Sequence, residues 1–483
     1  MKIAILVPVC SRNQTYGCLE DTPLFKNLLK SFEETKENEF EYTFFIGYDN
    51  DDIFYKTNKS NFPAELKLFE LIDCQESPPA AWNQLAKYAY NDHVMYDYFF
   101  QVGDDIIITG QNWTSLFISK LKANKNIGVV GPCYLSNYYG RTLTGNPPVI
   151  ENAFVHRTHL VIFGYFFPNT FKNWHCDDWI SRVYDSFFSE IQVRIECVNG
   201  ILGSRYTSVN GAETLKNELE HGIEKIKQYN PKNIFSYCVY GSNSKYCEGM
   251  VKNLEQIQSL FPSFETWIYL GNDVPTSYIQ KYSQFPNVKL IETNTTGGRL
   301  MAYRLFPLDD TNVKNVIIRD ADSRFGKRDI WCMKQFEDSD YRMFTIRDHP
   351  WHCEPIMMGM SGFRKILGLN IQELYQKFIE NKIDIDYYQS DQQFAKETIY
   401  FPYQKLCIAY ISFMRINDEN FQKIQVPREN DTDFCGNVFL FKECGCEYPS
   451  FNLNGPIPYT SYTCSHEMGS QLPESAPADS VSS

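Results

Sequence analysis

The sequence contains no apolar run long enough to cross a membrane, so we expect no membrane span within its 483 residues. It also lacks a Cys-x-x-Cys pair, and its 15 cysteines follow no repeated spacing. Reduced, buried thiols are therefore expected rather than a disulfide framework or a structural zinc site. No basic stripe accompanies the net charge of −13, which argues against a nucleic-acid-binding protein. No small-residue cleavage site follows the apolar residues 3–9, so a buried strand and a cytoplasmic protein are expected.

What the sequence does contain is enough length for two ordinary domains. Strand-like runs alternate with helical patterns in both halves, which predicts an α/β protein with mainly parallel sheets flanked by helices. A charged amphipathic segment at residues 211–229 predicts a helical connector, and further along the chain a loop is predicted at residues 241–244 and a helix at 249–260. We therefore predict domains at residues 1–208 and 233–460, a helical linker at 209–232, and a flexible tail at 461–483.

Residues 316–324, Val-Ile-Ile-Arg-Asp-Ala-Asp-Ser-Arg, are an apolar run that ends in two carboxylates, Asp320 and Asp322. Such a run predicts a strand that is buried on both faces. Ligands of open α/β sheets bind beyond the carboxyl ends of the strands. Because residues i and i+2 of an extended segment share a face, both carboxylates can reach one divalent cation and a nucleotide diphosphate. The alternative is an exposed acidic turn, since short Asp-x-Asp patterns are common by chance.

A second acidic pair, Asp104 and Asp105, follows an aromatic strand-like run in the first half. We predict Asp105 to be a metal ligand and Asp104 to support it or to bind ribose. Two other strand ends supply candidate nucleotide contacts. Pro8 begins the loop predicted after residues 3–7, and Asp49 follows a strand at residues 42–48, where a solvated turn is the alternative.

Residues 174–180, Trp-His-Cys-Asp-Asp-Trp-Ile, open an amphipathic helix. A carboxylate at a helix start is stabilised by the free backbone N–H groups, so capping is one role for an acid there. The other role is that of a general base that points into the cleft. We assign the cap to Asp177 and the base to Asp178. Asp391, near the start of a later helix, is the parallel candidate in the second half.

Further polar residues of the second half are candidates for substrate contacts. Arg299 and Arg304 precede the metal strand, where a guanidinium could pair with phosphate oxygens, with a surface ion pair as the alternative. His349 and His352 are candidates for metal or substrate contact or for structural roles. Tyr240 ends the first predicted strand of this half and is assigned to the nucleotide.

Taken in order, these motifs resemble those of nucleotide-sugar-dependent glycosyltransferases with the GT-A fold, twice over. The first half is similar to members in which Gly-Asp-Asp closes the metal strand and Asp-Asp-Trp carries the base, here residues 103–105 and 177–179. The second half is similar to a branch with Arg-Asp-x-Asp-Ser-Arg, Arg-Asp-His-Pro-x-His, a glycine-rich acceptor loop and Asp-Gln-x-Phe, here residues 319–324, 347–352, 359–362 and 391–394. The resemblance covers nearly all of residues 1–455 and implies two Rossmann-like GT-A domains in tandem.

The resemblance implies a bifunctional enzyme that transfers sugars from nucleotide-sugar donors, with UDP-sugars favoured, to an oligosaccharide acceptor. It implies Mn²⁺ or Mg²⁺, held by Asp105 in one half and by Asp320, Asp322 and His352 in the other. The acceptor contacts that it implies are His159, Trp179, His349 and Gly359. For His159, a satisfied and buried side chain is the alternative.

Two other functions compete with this one. A nucleotidyltransferase also places paired carboxylates on an α/β sheet, but residues 8–13 are neither glycine-rich nor strongly basic. Alternatively, one half is a glycan-binding or scaffolding pseudoenzyme. The second half is the better candidate for that role, because a histidine that the related branch carries after Asp-Gln-x-Phe has no counterpart at residues 406–410.

Overall fold

Two large β-sheets, each with helices against it, organise the chain. The structure is a computed structural model that describes residues 1–11, 14–132, 149–184, 188–191, 195–197, 211–349, 352–381, 389–412, 414–416, 418–430, 433–436 and 459–460. Of residues 188–191, 195–197 and 459–460 it describes the backbone alone. The tail predicted at residues 461–483 lies outside the described residues.

The strands are β1 Lys2–Val9, β2 Glu41–Asp49, β3 Lys67–Leu71, β4 Tyr98–Gln101, β5 Ile106–Ile108, β6 Val129–Pro132, β7 Phe154–His156, β8 Phe188–Ile191, β9 Ile195–Cys197, β10 Lys232–Val239, β11 Glu265–Leu270, β12 Val288–Glu292, β13 Val313–Arg319, β14 Met343–Arg347, β15 Met360–Arg364, β16 Cys407–Ile411, β17 Arg415–Ile416, β18 Asn420–Lys423 and β19 Tyr459–Thr460. The α-helices are α1 Lys30–Thr35, α2 Ile53–Thr57, α3 Pro78–Tyr90, α4 Trp113–Ala123, α5 Thr158–Phe163, α6 Cys176–Arg182, α7 Ala212–Gln228, α8 Ser244–Leu260, α9 Thr276–Tyr282, α10 Gly298–Met301, α11 Lys327–Glu337, α12 Ile371–Glu380 and α13 Ser390–Ala395. Shorter 3-10 or π-helical segments are Leu19–Asp21, Leu24–Leu29, Lys59–Asn61, Ala302–Asp309, Lys396–Tyr400 and Gln404–Leu406.

The two sheets share a strand order and a pattern of strand directions. Their orders are β3-β2-β1-β4-β7-β6-β8 and β12-β11-β10-β13-β15-β14-β16-β18. In both, four parallel strands are followed by one antiparallel strand, β7 or β15. Two further strands come next, β6 and β8 in the first sheet and β14 and β16 in the second. The predicted α/β class with mainly parallel sheets is therefore confirmed. The domain boundaries stay a prediction, which this recurrence supports.

Strand β13 forms because its apolar run is covered on both faces. It lies between β10 and β15 in the middle of its sheet, and Val316 and Ile318 are fully buried. Its neighbour β10 is parallel to it, so the carboxyl ends of both strands meet at one edge. The strand ends at Arg319, which leaves the two predicted metal ligands in the turn that follows, as expected.

Strand β1 extends further than the sequence predicted. Pro8, which was assigned to the loop after the strand, pairs in register with Gly47 of β2 inside the strand. On its other side β1 pairs with β4 only as far as Leu6. A proline is tolerated at residue 8 because β1 no longer pairs with β4 there, so no backbone N–H donor is needed on that edge of the strand.

The two halves are in contact through the end of α3. The Asn91 side chain donates to the Leu367 carbonyl and accepts from the Leu367 N–H, both at 2.8 Å. The guanidinium of Arg342, which is 2% exposed, lies 4.4 Å from the centre of the Tyr90 ring. Leu367 packs within the hydrophobic core of the first half. The contact is thus specific as well as apolar.

Candidate active site

The turn after β13 places Asp320 and Asp322 beside two basic side chains. The Asp320 carboxylate lies 2.6 Å from the Arg304 guanidinium, and the Asp322 carboxylate lies 2.9 Å from the Lys245 ammonium. The Asp320 side chain is 44% exposed, whereas that of Asp322 is 10% exposed. The predicted acidic pair therefore stands at the carboxyl edge of the sheet with one oxygen-rich side open to solvent.

Arg304 joins this pair to the candidate base of the second half. One of its nitrogens contacts Asp320 and the other contacts Asp391, each at 2.6 Å. Arg304 is 2% exposed. Burial opposes its charge, but the two carboxylates outweigh burial and hold the pKa of Arg304 above its ordinary value. Arg304 was predicted to bind the diphosphate, and in this arrangement its fork is occupied by Asp320 and Asp391.

Lys245 and Tyr246 belong to the site although sequence reasoning missed them. Helix α8 begins at Ser244, with the Asn243 side chain accepting from the Lys245 N–H, whereas the sequence predicted a helix from residue 249. This earlier start carries both side chains to the acidic pair. Burial, and then repulsion by Asp320, raises the pKa of Asp322, which Lys245 partly offsets.

Helix α8 also holds the acidic turn from behind. A Cβ at Gly249 would lie 2.5 Å from the Ala321 carbonyl oxygen, so only glycine allows this approach. One turn later, the buried Asn253 side chain donates to the same carbonyl at 3.0 Å. Gln256 donates to the carbonyl of Phe325 and accepts from its N–H. The position of the carboxylates is therefore set by a helix whose sequence showed no motif.

Gly359 lies directly against the acidic pair. It was predicted to let the backbone approach a sugar, but it is buried, and a Cβ there would lie 1.9 Å from a carboxylate oxygen of Asp320. The space beside Gly359 is thus filled by Asp320. The glycine makes room for the candidate metal ligand, and its acceptor role stays a prediction.

Tyr240 and Tyr246 lie at the open side of this cleft. Tyr240 follows β10 and is 37% exposed, and its hydroxyl lies near enough to Arg304 and Asp391 to be affected by their charges. Tyr246, 39% exposed, is similarly affected by Asp320 and Asp322. Arg299 is exposed on α10. Two open aromatic rings therefore border the carboxylates, whereas Arg299 is exposed on the helix that precedes Arg304.

His349 and His352 belong to a buried network around Asp348. That carboxylate accepts from Arg328 and from Arg428, and the Asp348 N–H donates to Nδ1 of His352 at 3.2 Å. Burial is the largest cause that lowers the pKa of His349 to about 4 and that of His352 to about 3. In the part of the chain that the structure describes, no three His, Cys, Asp or Glu side chains form a group that could hold a metal ion. The arrangement does not bring His352 together with Asp320 and Asp322.

The acidic pair of the first half is more deeply buried than that of the second half. Asp104 and Asp105 follow β4 and are 0% and 2% exposed. Asp49 is the last residue of β2, as expected for a strand-end candidate. In the same cluster, Asp52 caps α2 by accepting from the Tyr55 N–H and also accepts from the Ser11 N–H at 2.6 Å. Asp52 thus orders the loop after β1.

Asp178 is partly exposed and held by two side chains. Its oxygens lie 3.2 Å from Nδ1 of His175 and 2.8 Å from the Arg182 guanidinium. Asp177 accepts from the Asp178 N–H at 2.9 Å, in keeping with a place in the first helical turn. The residue that precedes this helix is His175, in the left-handed region with φ of 71°.

The second half repeats this helix start in the same backbone form. Gln389, with φ of 72°, precedes α13 as His175 precedes α6. Counted from these two residues, Asp391 matches Asp177 rather than Asp178. The sequence had paired Asp391 with Asp178, so the backbone shifts the correspondence by one residue.

His159 and Trp179, predicted to contact the acceptor, are core residues. His159 is 1% exposed, and its two ring nitrogens lie 2.7 Å from the Tyr184 hydroxyl and 2.8 Å from the Phe166 carbonyl. Trp179 is fully buried and donates to the Glu218 carbonyl on α7. The polar atoms of both side chains are satisfied inside the core, so this structure does not support the two acceptor roles, which stay predictions.

The chemistry of Asp320 and Asp322 suits a divalent cation. Carboxylate oxygens are the ligands that Mg²⁺ and Mn²⁺ prefer. Repulsion between the two carboxylates contributes to the raised pKa of Asp322, and a cation beside both would relieve it. The residues present therefore fit the metal that the sequence resemblance implies.

Comparisons with known proteins place the chain in no family: no family model matches it, and no curated protein does. Solved structures give partial likenesses. One is 4-diphosphocytidyl-2C-methyl-D-erythritol synthase from Anaerococcus prevotii, with 12% identity, a TM-score of 0.27, and coverage of 37% of this chain and 87% of that one. Another is a glycosyltransferase involved in glycosylation of the major capsid of PBCV-1, with 13% identity, a TM-score of 0.28, and coverage of 38% and 86%. A third is the mannosyltransferase PcManGT from Pyrobaculum calidifontis, in complex with GDP-Man and Mn²⁺, with 14% identity, a TM-score of 0.26, and coverage of 35% and 52%.

No helix among the described residues is both long enough and apolar enough to span a membrane.

Proposed function

We propose that this protein is a metal-dependent glycosyltransferase with two GT-A-like units, which transfers sugars from nucleotide-sugar donors to a glycan acceptor. The observation that carries the proposal is the acidic pair after β13. Asp320 and Asp322 stand at the carboxyl edge of a parallel sheet, between the basic side chains of Arg304 and Lys245 and next to two open tyrosines. A nucleoside diphosphate with its cation needs this combination of carboxylates, basic groups and aromatic faces.

Each group of the cleft has a definite part in such a reaction. Asp320 and Asp322 would hold Mn²⁺ or Mg²⁺, which supplies Lewis-acid neutralisation of the departing diphosphate when bound. Arg299, which is exposed, and Lys245, which pairs with Asp322, are the candidates for contact with phosphate oxygens, and Tyr240 or Tyr246 is the candidate for contact with the base. We assign UDP-sugars as the first donors to test.

The transfer itself forms one bond and breaks one. The acceptor hydroxyl oxygen attacks the anomeric carbon, the bond from that carbon to the diphosphate oxygen breaks, and the electron pair leaves with the diphosphate. In an inverting unit a carboxylate accepts the proton of the acceptor hydroxyl. Asp178 is the candidate for the first half, and its contacts with His175 and Arg182 orient it. Asp391, oriented by Arg304, is the candidate for the second half.

A specific observation favours a second candidate function, in which only one half is catalytic. Asp104 and Asp105 are almost completely buried, whereas Asp320 is 44% exposed. This contrast favours the second half as the active unit and the first as a binding or supporting one. It reverses the preference that the missing histidine at residues 406–410 gave from sequence.

The test is donor hydrolysis by the full chain, measured with a panel of UDP- and GDP-sugars with and without Mn²⁺. Asp322→Asn should lower metal-dependent turnover by about 100-fold or more, because a buried electrostatic contact to the donor is lost. Asp105→Asn should do the same only if the first half is active. Asp338→Asn, an exposed acid in the same half, is the matched control. Absence of both donor binding and turnover in the wild-type protein would overturn the proposal.

A further inference from the structure

The second half also contains a cavity that lies outside the acidic cleft. It has a volume of about 650 Å³ and opens over the outer strands β11 and β12. Its floor is made by side chains that share one face of the sheet, Trp267 and Tyr269 of β11 and Lys289 of β12. Its wall is the 3-10 segment Ala302–Asp309, which presents Tyr303 and Phe306. A volume of this size is typical of small-molecule sites.

The first half shows what normally covers this face. There α3, a helix of 13 residues, packs along β1 and β2, and its Tyr88 stacks on Phe69 of β3 at 4.6 Å. Lys67 forms an ion pair of 2.5 Å with Asp92, which follows that helix. The corresponding face in the first half is thus closed by the protein itself.

In the second half the covering segment is not one continuous α-helix. Helix α10 has 4 residues, and the 3-10 segment that continues it has 8 and contains Pro307. Lys289 matches Lys67 in register, since Lys289 pairs with Trp267 as Lys67 pairs with Phe45. Asp310 follows the covering segment as Asp92 follows α3, yet Lys289 makes no ion pair with it in the described structure. Its ammonium lies 3.6 Å from the centre of the Trp267 ring instead. The cavity therefore lies where the first half has an ion pair between its outer strand and the end of its covering helix.

The lining of the cavity combines aromatic faces with dispersed polar groups. Tyr303 and Phe306 stack at 4.4 Å and are half-buried, so part of each ring faces the open space. Lys289 supplies one positive charge, Asp309 and Asp310 supply two negative charges, and Thr293 supplies a hydroxyl. Carboxylates outnumber cations in this lining, which disfavours a polyanion. A sugar ring has an apolar C–H face that suits aromatic side chains and a rim of hydroxyls that suits the polar ones.

The space is also elongated. A second cavity of about 400 Å³ shares Trp267, Lys289 and Asp310 with the first and continues towards Asn230 and Asn312. The two cavities therefore form one trough, which we call the edge groove, with Lys289 at its middle. A trough of this shape suits a chain of sugar units better than a single one.

The edge groove adjoins the acidic cleft through a single turn of chain. Tyr303 faces the groove, whereas its neighbour Arg304 contacts Asp320 and Asp391. A ligand in the groove would therefore lie on the opposite side of the segment that orients the candidate site.

We propose that the edge groove binds a neutral oligosaccharide chain, separately from the donor cleft. The choice of a glycan as the ligand rests on the proposed function, whereas the groove itself is observed in the structure whatever the protein does. A chain held there would keep an acceptor on the protein between transfers, since binding at a second site raises its effective concentration at the first.

The experiment is binding of a panel of hexasaccharides, namely cello-, chito-, malto-, manno- and xylohexaose, to the full-length protein. Saturation-transfer NMR and tryptophan fluorescence would report binding. Lys289→Ala and Phe306→Leu should each weaken it by about tenfold, because one removes the centre of the groove and the other an aromatic face. Lys281→Ala is the matched control, because this exposed lysine also lies over an aromatic ring, 4.7 Å from the centre of Tyr278, but outside the groove. It should bind as the wild type does.

Donor hydrolysis, measured in parallel, separates this inference from the proposed function. Glycan binding that falls in the two groove variants while Mn²⁺-dependent hydrolysis is unchanged supports the groove. Binding with the same dependence in a protein that hydrolyses no donor supports the groove and removes the glycosyltransferase proposal. The inference is overturned if no hexasaccharide binds, or if binding is equal in wild type and both groove variants.

Discussion

At the scale of single residues, the candidate active site of the second half depends on the guanidinium of Arg304. It is buried, and it neutralises Asp320 and Asp391 at once. An ammonium group cannot reproduce two directed contacts of this kind, because it lacks the planar fork. The orientation of both a candidate metal ligand and a candidate base therefore depends on one side chain.

Replacement of Arg304 should accordingly be costly. Arg304→Ala should lower the free energy of unfolding by about 3 kcal/mol, since it leaves buried carboxylate charge without its partner. Arg304→Lys should cost less but should also slow donor hydrolysis. Urea unfolding followed by circular dichroism measures the first effect. Arg299→Lys, at an exposed position of the preceding turn, is the control and should unfold as the wild type does. Equal stability of Arg304→Ala and the wild type would contradict the bridging role.

At the scale of secondary structure, helix α8 is what fixes the acidic turn. The Asn253 side chain is fully buried and donates to the Ala321 carbonyl. Asn253→Ala should lower the free energy of unfolding by about 1–3 kcal/mol, because a buried carbonyl loses its donor. Asn253→Asp should cost more, since it turns a carboxylate towards carbonyl oxygens. Gln258→Ala, at an exposed position of the same helix, should change stability little. Thermal unfolding of the three variants measures these differences, and similar values for all three would rule out the anchor.

The elements also show what the sequence could predict. Strand β13 follows from the apolar run at residues 316–318, and the acidic pair lies just after the strand end, where such a run places it. The start of α8 was missed because Gly241 and Asn243 are typical of a turn, and nothing local shows that Asn243 caps a helix. The loop at Pro8 was misplaced for a similar reason, since the end of β4 decides whether proline is accepted.

Side-chain roles were harder to predict than elements, because they depend on contacts between distant parts of the chain. A histidine in an aromatic run reads equally well as a ligand or as a core residue until its partners are known. For His159 those partners are Tyr184 and Phe166. The same holds for Gly359, whose neighbour Asp320 lies on another strand end. Sequence spacing therefore located the candidate site but not the groups that hold it together.

At the scale of the whole molecule, histidines held neutral inside the core link stability to pH. Burial lowers the pKa of His159 to about 4 and is the main cause that lowers the pKa of His156 to about 3. Above pH of about 6.5 these groups are neutral in both the folded and the unfolded chain, so their contribution to stability is complete. Between about 6.5 and 4 the unfolded chain takes up protons that the folded chain refuses, so the free energy of unfolding falls as the pH falls.

The expected outcome is a loss of stability on mild acidification before most carboxylates titrate. For His159 alone it amounts to about 3 kcal/mol between pH 6.5 and pH 4, because a fully buried ring is protonated only when the chain unfolds. Urea unfolding at a series of pH values from 7.5 to 4 measures it. His159→Gln, whose amide can face both Tyr184 and the Phe166 carbonyl, should be less stable at pH 7.5 but should lose less stability on acidification. An identical pH dependence for this variant and the wild type would mean that His159 titrates in the folded protein at its ordinary pKa, and that the core around α5 and α6 is open to water.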